Sequence, residues 1–422
     1  MRPILSHVLA CIIIVIGLTE LVYANSKASI NDYGQLPSTS QVEVSPSGQL
    51  IAFRRIENDK DMVFVFSLKD QKVLRITDVS AINPKGLFFT SDNQLILWAS
   101  EYRRISGYIG QHNVSAAFRL TIDSGDIEQL LVPGKKIHKG QTNVGRIVGV
   151  SSDGKNLFMP AYVGSSASDQ TPNYSLMSVN IDNPKKVKRI ERGTRHTDNY
   201  FLDKNSKPLV TEEYNNKTNV HQISIKKDDQ WQSIFEVTTP IPFFSVEALT
   251  PDEKHLVLLL EDNKHDKTGY QLLSLETGKI SSTAYTRNDT DIERVFTTLN
   301  RIALGIQYSG FSPSYVFFDA DIDKFVQSVV NKFPEHSVWI TSYTPSWSHV
   351  VVKVEGSQYA GEYYLFDRSL KATYIATERP NIKPEQIHPI ATLKYTASDD
   401  LSIPALLTIP KTKVNTLSLI HI

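Results

Sequence analysis

The chain has 422 residues, 41% of them hydrophobic and 21% charged, a balance that supplies one large core or two and excludes an extended disordered polymer. Lys plus Arg and Asp plus Glu both total 45, so no whole-molecule field gathers nucleic acid or anionic lipid, and any partner is met by a local site. The single cysteine, Cys11, excludes a disulfide framework and a thiolate metal site.

The first residues read as a separate object. Arg2 supplies a positive start, the apolar run VLACIIIVIGL is short for a bilayer span, and VYA ending at Ala24 has the small-residue form of a cleavage site. Thr19 and Glu20 interrupt the apolar run early, which argues against a stable membrane anchor. Residues 1–24 are therefore expected to be a cleaved secretory signal, placing the protein outside the cytoplasm, secreted or periplasmic. The mature chain then has no cysteine, and its stability rests on packing.

From residue 45 onward one phrase recurs: a polar turn, then an apolar strand. It appears as SPSGQLIAF from Ser45, TSDNQLILW from Thr90, SSDGKNLFM from Ser151 and FLDKNSKPLV from Phe201. It returns as TPDEKHLVLLL from Thr250, TTLNRIALGI from Thr297 and TPSWSHVVVKV from Thr344. The spacing averages about 50 residues, in the range of propeller repeats. Further strands joined by turns such as DSGD and ETGK follow each phrase, with Gly where positive φ is needed. Sheets of about four strands bury both faces when stacked radially. The expected fold is all-β, a seven-bladed propeller over residues 30–380, with six or eight blades as alternatives because the fourth and sixth phrases are degenerate. A pair of β-sandwiches fits the sevenfold recurrence less well.

TERPNIKPEQIHP, Thr377 to Pro389, breaks the pattern with three prolines and is expected to be a linker, centred on residues 381–390. Residues 391–422 resume strand character without the blade phrase.

Several constellations invite chemistry. Asp319, Asp321 and Asp323 alternate as in the opening of a calcium loop, but Lys324 stands where that loop needs Gly and Val330 where it needs Glu. Calcium is rejected there, and a charged hairpin between the second and third strands of a blade is expected. Glu212 and Glu213 would hold a cationic group only at a bulge or strand end, since neighbours on a strand point to opposite faces; a solvated strand end is expected. Arg103 and Arg104 are read as surface arginines. No HExxH, ligand cluster, Walker loop or GxGxxG occurs, so no metal and no cofactor is expected. Asn113, Asn173, Asn216 and Asn288 stand in glycosylation triplets. An α/β-hydrolase serine needs GxSxG for its strained elbow, and none is present; GVSSDG from Gly149 is read as a blade turn. No catalytic residue is assigned.

The segment ATLKYTASDDLSIPALLTIPK then gives the order of elements a meaning. Signal, propeller, proline linker and this segment together resemble the prolyl oligopeptidase family of serine peptidases, in particular its secreted acylaminoacyl-peptidase-like bacterial members. Tyr395, Ala397, Asp399, Ile403, Leu407 and Pro410 match the phrase that opens that family's hydrolase domain; Asp400 replaces the usual turn Gly, which Asp tolerates in a left-handed conformation. The resemblance implies peptide-bond hydrolysis of peptide substrates by the complete protein, with the propeller restricting access. Thr416 to Ile422, TLSLIHI, is read as the start of the next hydrolase strand, so residues 391–422 are expected to begin a catalytic domain that is otherwise missing, through a truncated gene or a fragmentary gene model. The chain alone is expected to be inactive. The alternative is a non-catalytic secreted propeller of TolB type that binds proteins or peptides. A channel-centred lyase or glycosidase would need paired carboxylates or a metal cluster, and neither is identifiable.

Overall fold

A computed structural model of the protein describes residues 28–105, 107–260, 269–281, 285–287 and 290–410. The signal region, Asn288 and the segment 416–422 lie outside the described residues. The chain separates into two compact units. One comprises Thr39–Val354 and Glu362–Ala376, and the other Met1–Ser38, Glu355–Gly361 and Thr377–Ile422.

The larger unit carries a seven-bladed propeller. Its sheets follow one another along the chain, each taking its strands in sequence order: blade 1 over residues 39–78, blade 2 over 84–129, blade 3 over 149–192 and blade 4 over 197–238. Blade 5 covers 245–274, blade 6 covers 292–317 and blade 7 covers 337–377. Blades 5 and 6 have three strands among the described residues, the others four.

The recurrent phrase is the turn between the first and second strands. In blade 1 the Ser45 hydroxyl accepts from Leu50 N–H at 3.1 Å, and Gly48 N–H donates back to Ser45 O at 2.8 Å. Ser151 with Asn156, Thr250 with His255 and Thr344 with His349 repeat the hydroxyl bond. In six of the seven blades the residue that closes this turn is left-handed: Gly48 at φ 75°, Gly154 at 71°, Ser206 at 63°, Glu253 at 57°, Arg301 at 60° and Trp347 at 54°. The hydroxyl satisfies a backbone donor that the turn would otherwise strand, and the left-handed residue reverses the chain into the second strand.

Apolar clusters fill the spaces between blades. Ala52, Val63 and Val65 of blade 1 meet Leu87, Phe89 and Leu95 of blade 2. Val148, Phe158 and Leu176 of blade 3 meet Tyr200 and Leu202 of blade 4. Each of these side chains is buried, contributing about 1.5–3 kcal/mol when large and fully enclosed.

Blade 7 meets blade 1 without sharing a strand, because each sheet is built from its own consecutive strands. The first strands Thr39–Val44 and Ser337–Tyr343 lie side by side. Val42, Val44 and Ile51 pack on Val351, Tyr363 and Leu365. The Ser342 hydroxyl accepts from Val44 N–H at 3.1 Å and donates to Glu43 at 2.7 Å.

The aspartates at 319–323 belong to a helix, which corrects the hairpin expectation. Asp319 caps α2, Ala320–Val330, accepting from the Asp321 and Ile322 amides, and Asp323 accepts from Phe317 N–H at 2.8 Å. Acidic groups in a first helical turn complement the free N–H groups there. Phe325, Val326 and Val329 bury the inner face of α2, which packs on the third strand of blade 6, Ser314–Phe317. It follows that strand where the four-stranded blades continue into an outermost strand.

The second unit contains α1, Ile30–Gly34, closed by a reciprocal Ser29–Asp32 cap. Arg379 donates to Tyr33 O and Gln35 O, and the Tyr33 hydroxyl to Gln386 O. A hairpin pairs Ile390–Thr396 with Ser402–Thr408, and Asp400 in its turn has φ 64°, the left-handed conformation expected of the residue replacing Gly.

Burial pushes the Glu43 carboxyl up from 4.5 to about 8. A raised folded-state value means that the neutral acid is favoured by folding: its contribution is complete below the unfolded value and is lost as pH rises through about 8. The melting temperature should therefore fall from mildly acidic to alkaline pH, with one proton contributing about 1.4 kcal/mol per pH unit. Glu43→Gln should flatten that slope; an unchanged slope in the variant would remove Glu43 from the seam's energetics.

Candidate functional site

The hairpins between second and third strands and the links between blades lie on one face of an up-and-down propeller, and the turns described above on the other. On the hairpin face, blades 2 to 4 enclose a cleft of about 950 Å³. The blade 2 to blade 3 link forms its floor. Gln141 pins that link by donating to His138 O and Tyr162 O and accepting from Tyr162 N–H. Ser115 of blade 2 holds it from the other side through Thr142 O and Asn143. Gly145 lies so close to blade 2 that a Cβ there would stand 2.7 Å from the Ala116 backbone.

Gly145 delivers Arg146 into the cleft wall. Arg146 Nη1 donates to Asp198 O at 2.8 Å and Nη2 to the Asn199 side-chain oxygen. The same oxygen accepts from Arg301 Nη1 at 3.1 Å. Arg301 comes from the blade 6 turn on the opposite face, stacks its guanidinium 3.9 Å over the Phe201 ring and donates to Val246 O at 2.7 Å. Its turn neighbour Asn300 accepts from Val150 N–H of blade 3 at 2.7 Å, so this turn reaches across to blades 3, 4 and 5. Desolvation, with the Arg146 charge second, lowers Arg301 to about 10.

Behind Asn199 stands a buried acid. The Asn199 amide donates to Glu212, and His221 Nε2 lies 2.9 Å from Glu212 Oε1. Phe243 N–H donates to His221 Nδ1 at 3.0 Å, which leaves the imidazole proton on Nε2, facing the carboxylate. Glu212 is 5% exposed and His221 fully buried. This corrects the expectation of a solvated strand end: Glu212 faces inward within the sheet, and Glu213, accepting from the Thr197 hydroxyl at 2.8 Å, points the other way. Partial desolvation in the cleft wall, then the negative charge of Glu212, raises Asp198 to about 6.

The other sequence candidates lie elsewhere. Arg103 pairs with Glu101 at 2.9 Å on an exposed strand end, and Arg104 is exposed. Ser151 of GVSSDG accepts from Asn156 N–H and donates to Asp153 in the blade 3 turn. Among the described residues no group of three or more His, Cys, Asp or Glu is placed to hold a metal. Arg146, Asp198, Asn199, His221 and Arg301 were not singled out in the sequence; the available signal was a charge set among apolar strand residues in GRIVGV and TDNYFL.

No family model matches the sequence, and no curated protein does. Solved structures do resemble the fold. The propeller domain of the Trilobed protease from Pyrococcus furiosus, described as having an open velcro topology, aligns with a TM-score of 0.50 and 11% identity over 82% of this chain and 98% of that one. Prolyl oligopeptidase B from Galerina marginata aligns at 0.54 and 10% identity over 88% of this chain and 55% of that one. Pyrococcus horikoshii acylaminoacyl peptidase aligns at 0.51 and 10% over 92% and 60%. This chain thus spans about half to three fifths of these two peptidases. The resemblance read from the sequence holds at the level of fold: the chain has the seven-bladed propeller found in prolyl oligopeptidases and acylaminoacyl peptidases.

His221→Ala should strand the Glu212 carboxylate and free the Phe243 amide, costing about 3 kcal/mol or more in urea unfolding. It should also speed chymotryptic cleavage beside Phe243 and Phe244, whereas Lys217→Ala on the surface should change neither. Unaltered stability in His221→Ala would mean that the pair does not brace the cleft.

Proposed function

We propose that this chain is the propeller portion of a secreted serine peptidase of the prolyl oligopeptidase kind, in which the propeller limits which peptides reach the reacting centre. The observation that carries this reading is the hairpin Ile390–Thr408 beyond the seventh blade. Its sequence fits the opening of the family's hydrolase domain, and Asp400 takes the left-handed conformation that the family's Gly would supply. A ring of seven blades has no use for it. Its Tyr395, Leu401 and Leu406 are more than half exposed, as befits two strands of a larger sheet, since an isolated hairpin is marginal in water. The fold shared with the peptidase propellers supports the same reading.

In the whole enzyme, a serine would attack the peptide carbonyl to form an acyl-enzyme, with histidine as base, an acid orienting it, and backbone donors stabilising the oxyanion. None of those groups is assigned to this chain's residues, whose part is to admit and hold the peptide. Purified protein ending at Ile422 should therefore fail to hydrolyse aminoacyl and peptidyl nitrophenyl esters. Sequencing the gene past the Ile422 codon should find the frame continuing into His-Gly-Gly, GxSxG and later Asp and His. A stop codon there would overturn the peptidase reading in favour of a binding propeller, and ester turnover by the purified chain would overturn the division of labour.

A further inference from the structure

Arg146 is held more firmly than a surface arginine requires. Two of its five N–H groups are fixed by Asp198 O and the Asn199 side chain. Asn199 is in turn fixed by Arg301 and Glu212, Glu212 by His221, and His221 by the Phe243 amide. This chain of partners runs from the propeller interior to the wall of the 950 Å³ cleft and sets the direction of the guanidinium fork. The Tyr174 hydroxyl also lies against the Arg146 fork, and a planar fork with donors left over, in a recess with Tyr162 and Tyr174 on its wall, suits a carboxylate: guanidinium meets carboxylate through two parallel bonds. The paired rings, 4.9 Å apart between centroids, give apolar faces to the ligand body.

The remaining charges select among anions. Lys139 at the cleft adds a second cation, while Asp169 and Asp198 line it with negative charge. Asp169 is committed to its own turn by the Ser165 and Thr171 amides, which hold it down to about 2. Two acids beside two bases disfavour a phosphate dianion or a polyanion and suit a monoanion on a hydrogen-bonding chain. We propose that the blade 2 to blade 4 cleft binds the free carboxyl terminus of a peptide, with Arg146 as the carboxylate-binding residue and Asn199 as the residue that positions it. The site is assigned from the cleft's geometry and is independent of whether the chain belongs to a peptidase.

Calorimetric titration of the purified chain with N-acetyl-tetraalanine and with its C-terminal amide tests this without any catalysis. The free acid should bind at least tenfold more tightly than the amide, a difference of about 1.4 kcal/mol. Arg146→Gln should abolish the preference, Arg146→Lys should keep a reduced one, and Lys139→Gln should leave most of it. Equal binding of acid and amide, or no binding of either at millimolar concentration, overturns the proposal even if the variants misfold, because that comparison uses the unaltered protein. Loss of the preference in Lys139→Gln with retention in Arg146→Gln would overturn the assignment to Arg146. If the gene stops at Ile422 and the acid preference holds, the peptidase reading falls and the site stands.

Discussion

The closure of the ring without a shared strand is the constraint on which the architecture depends. Since each blade keeps its own strands, no strand ladder joins the last blade to the first among the described residues, and just outside the two blades Ser38 N–H donates to Glu378 O at 2.8 Å. The cluster around Val42, Ile51, Val351 and Tyr363, together with Ser342 between Glu43 and the Val44 amide, takes that role. Apolar contact is non-directional, and hydrogen bonding fixes register. Ser342 therefore supplies what packing cannot: it sets the two inner strands at one height. Placing a carboxyl at this point has a cost, which the molecule limits by favouring the neutral acid. The seam is thereby made of groups whose best state is uncharged, like the apolar interfaces elsewhere in the ring.

On the opposite arc the molecule follows a different electrostatic logic. Arg146 and Arg301, entering from opposite faces, converge on one amide oxygen. Two like charges at such range repel, and the arrangement persists because Asn199 turns its oxygen to both while its amide group meets Glu212. The acid lies behind the amide rather than in contact with either arginine, so the network is polarised from His221 outward. A directly paired Glu and Arg would satisfy each other and leave little for a ligand. Interposing Asn199 holds Arg146 in place while leaving part of its hydrogen-bonding capacity toward the cleft.

The blade pattern was legible because its turns are local. A hydroxyl three residues before a left-handed position leaves a short linear signature, clear in Ser45 with Gly48 and in Ser151 with Gly154. It is weaker where Ser206, Glu253, Arg301 and Trp347 adopt that conformation without glycine, and in the fourth turn the hydroxyl is also replaced, Asp203 accepting from Lys207 N–H in its stead. Helix α2 was missed because three alternating aspartates suggested a loop; only the cap at Asp319 and the buried Phe325, Val326 and Val329 distinguish it, and eleven residues carry little periodicity. Alternation correctly put Glu212 and Glu213 on opposite faces. It could not say that Glu212 would find His221 on the next strand, because that pairing depends on register across the sheet. The cleft was illegible for the same reason at larger scale: Arg146, Asn199 and Arg301 are brought together by the order of blades around a ring, which no window of sequence contains.

The seam and the cleft are consequently served by different parts of the same circle. Blades 2, 3 and 4 are joined by continuous chain and by apolar clusters on both sides of blade 3, and the blade 6 turn ties blades 3, 4 and 5 to one another from the far face. Neither set of contacts uses the Glu43 seam. A change in protonation at the seam alters how firmly blades 1 and 7 hold together, yet it reaches the Arg146 network only through blade 2 or blade 6, each packed against its neighbours by buried apolar side chains. Coupling between two sites requires an element that both of them bias. The tie from blade 6 touches both arcs through polar contacts, since Arg294 of the same blade donates to Ile340 O in blade 7 at 2.9 Å, while Arg301 reaches Asn199 in blade 4. Blade 6 therefore joins the closure of the ring to the posture of the cleft arginine by hydrogen bonds, as blade 2 does by packing on blade 1 and holding the link that carries Arg146.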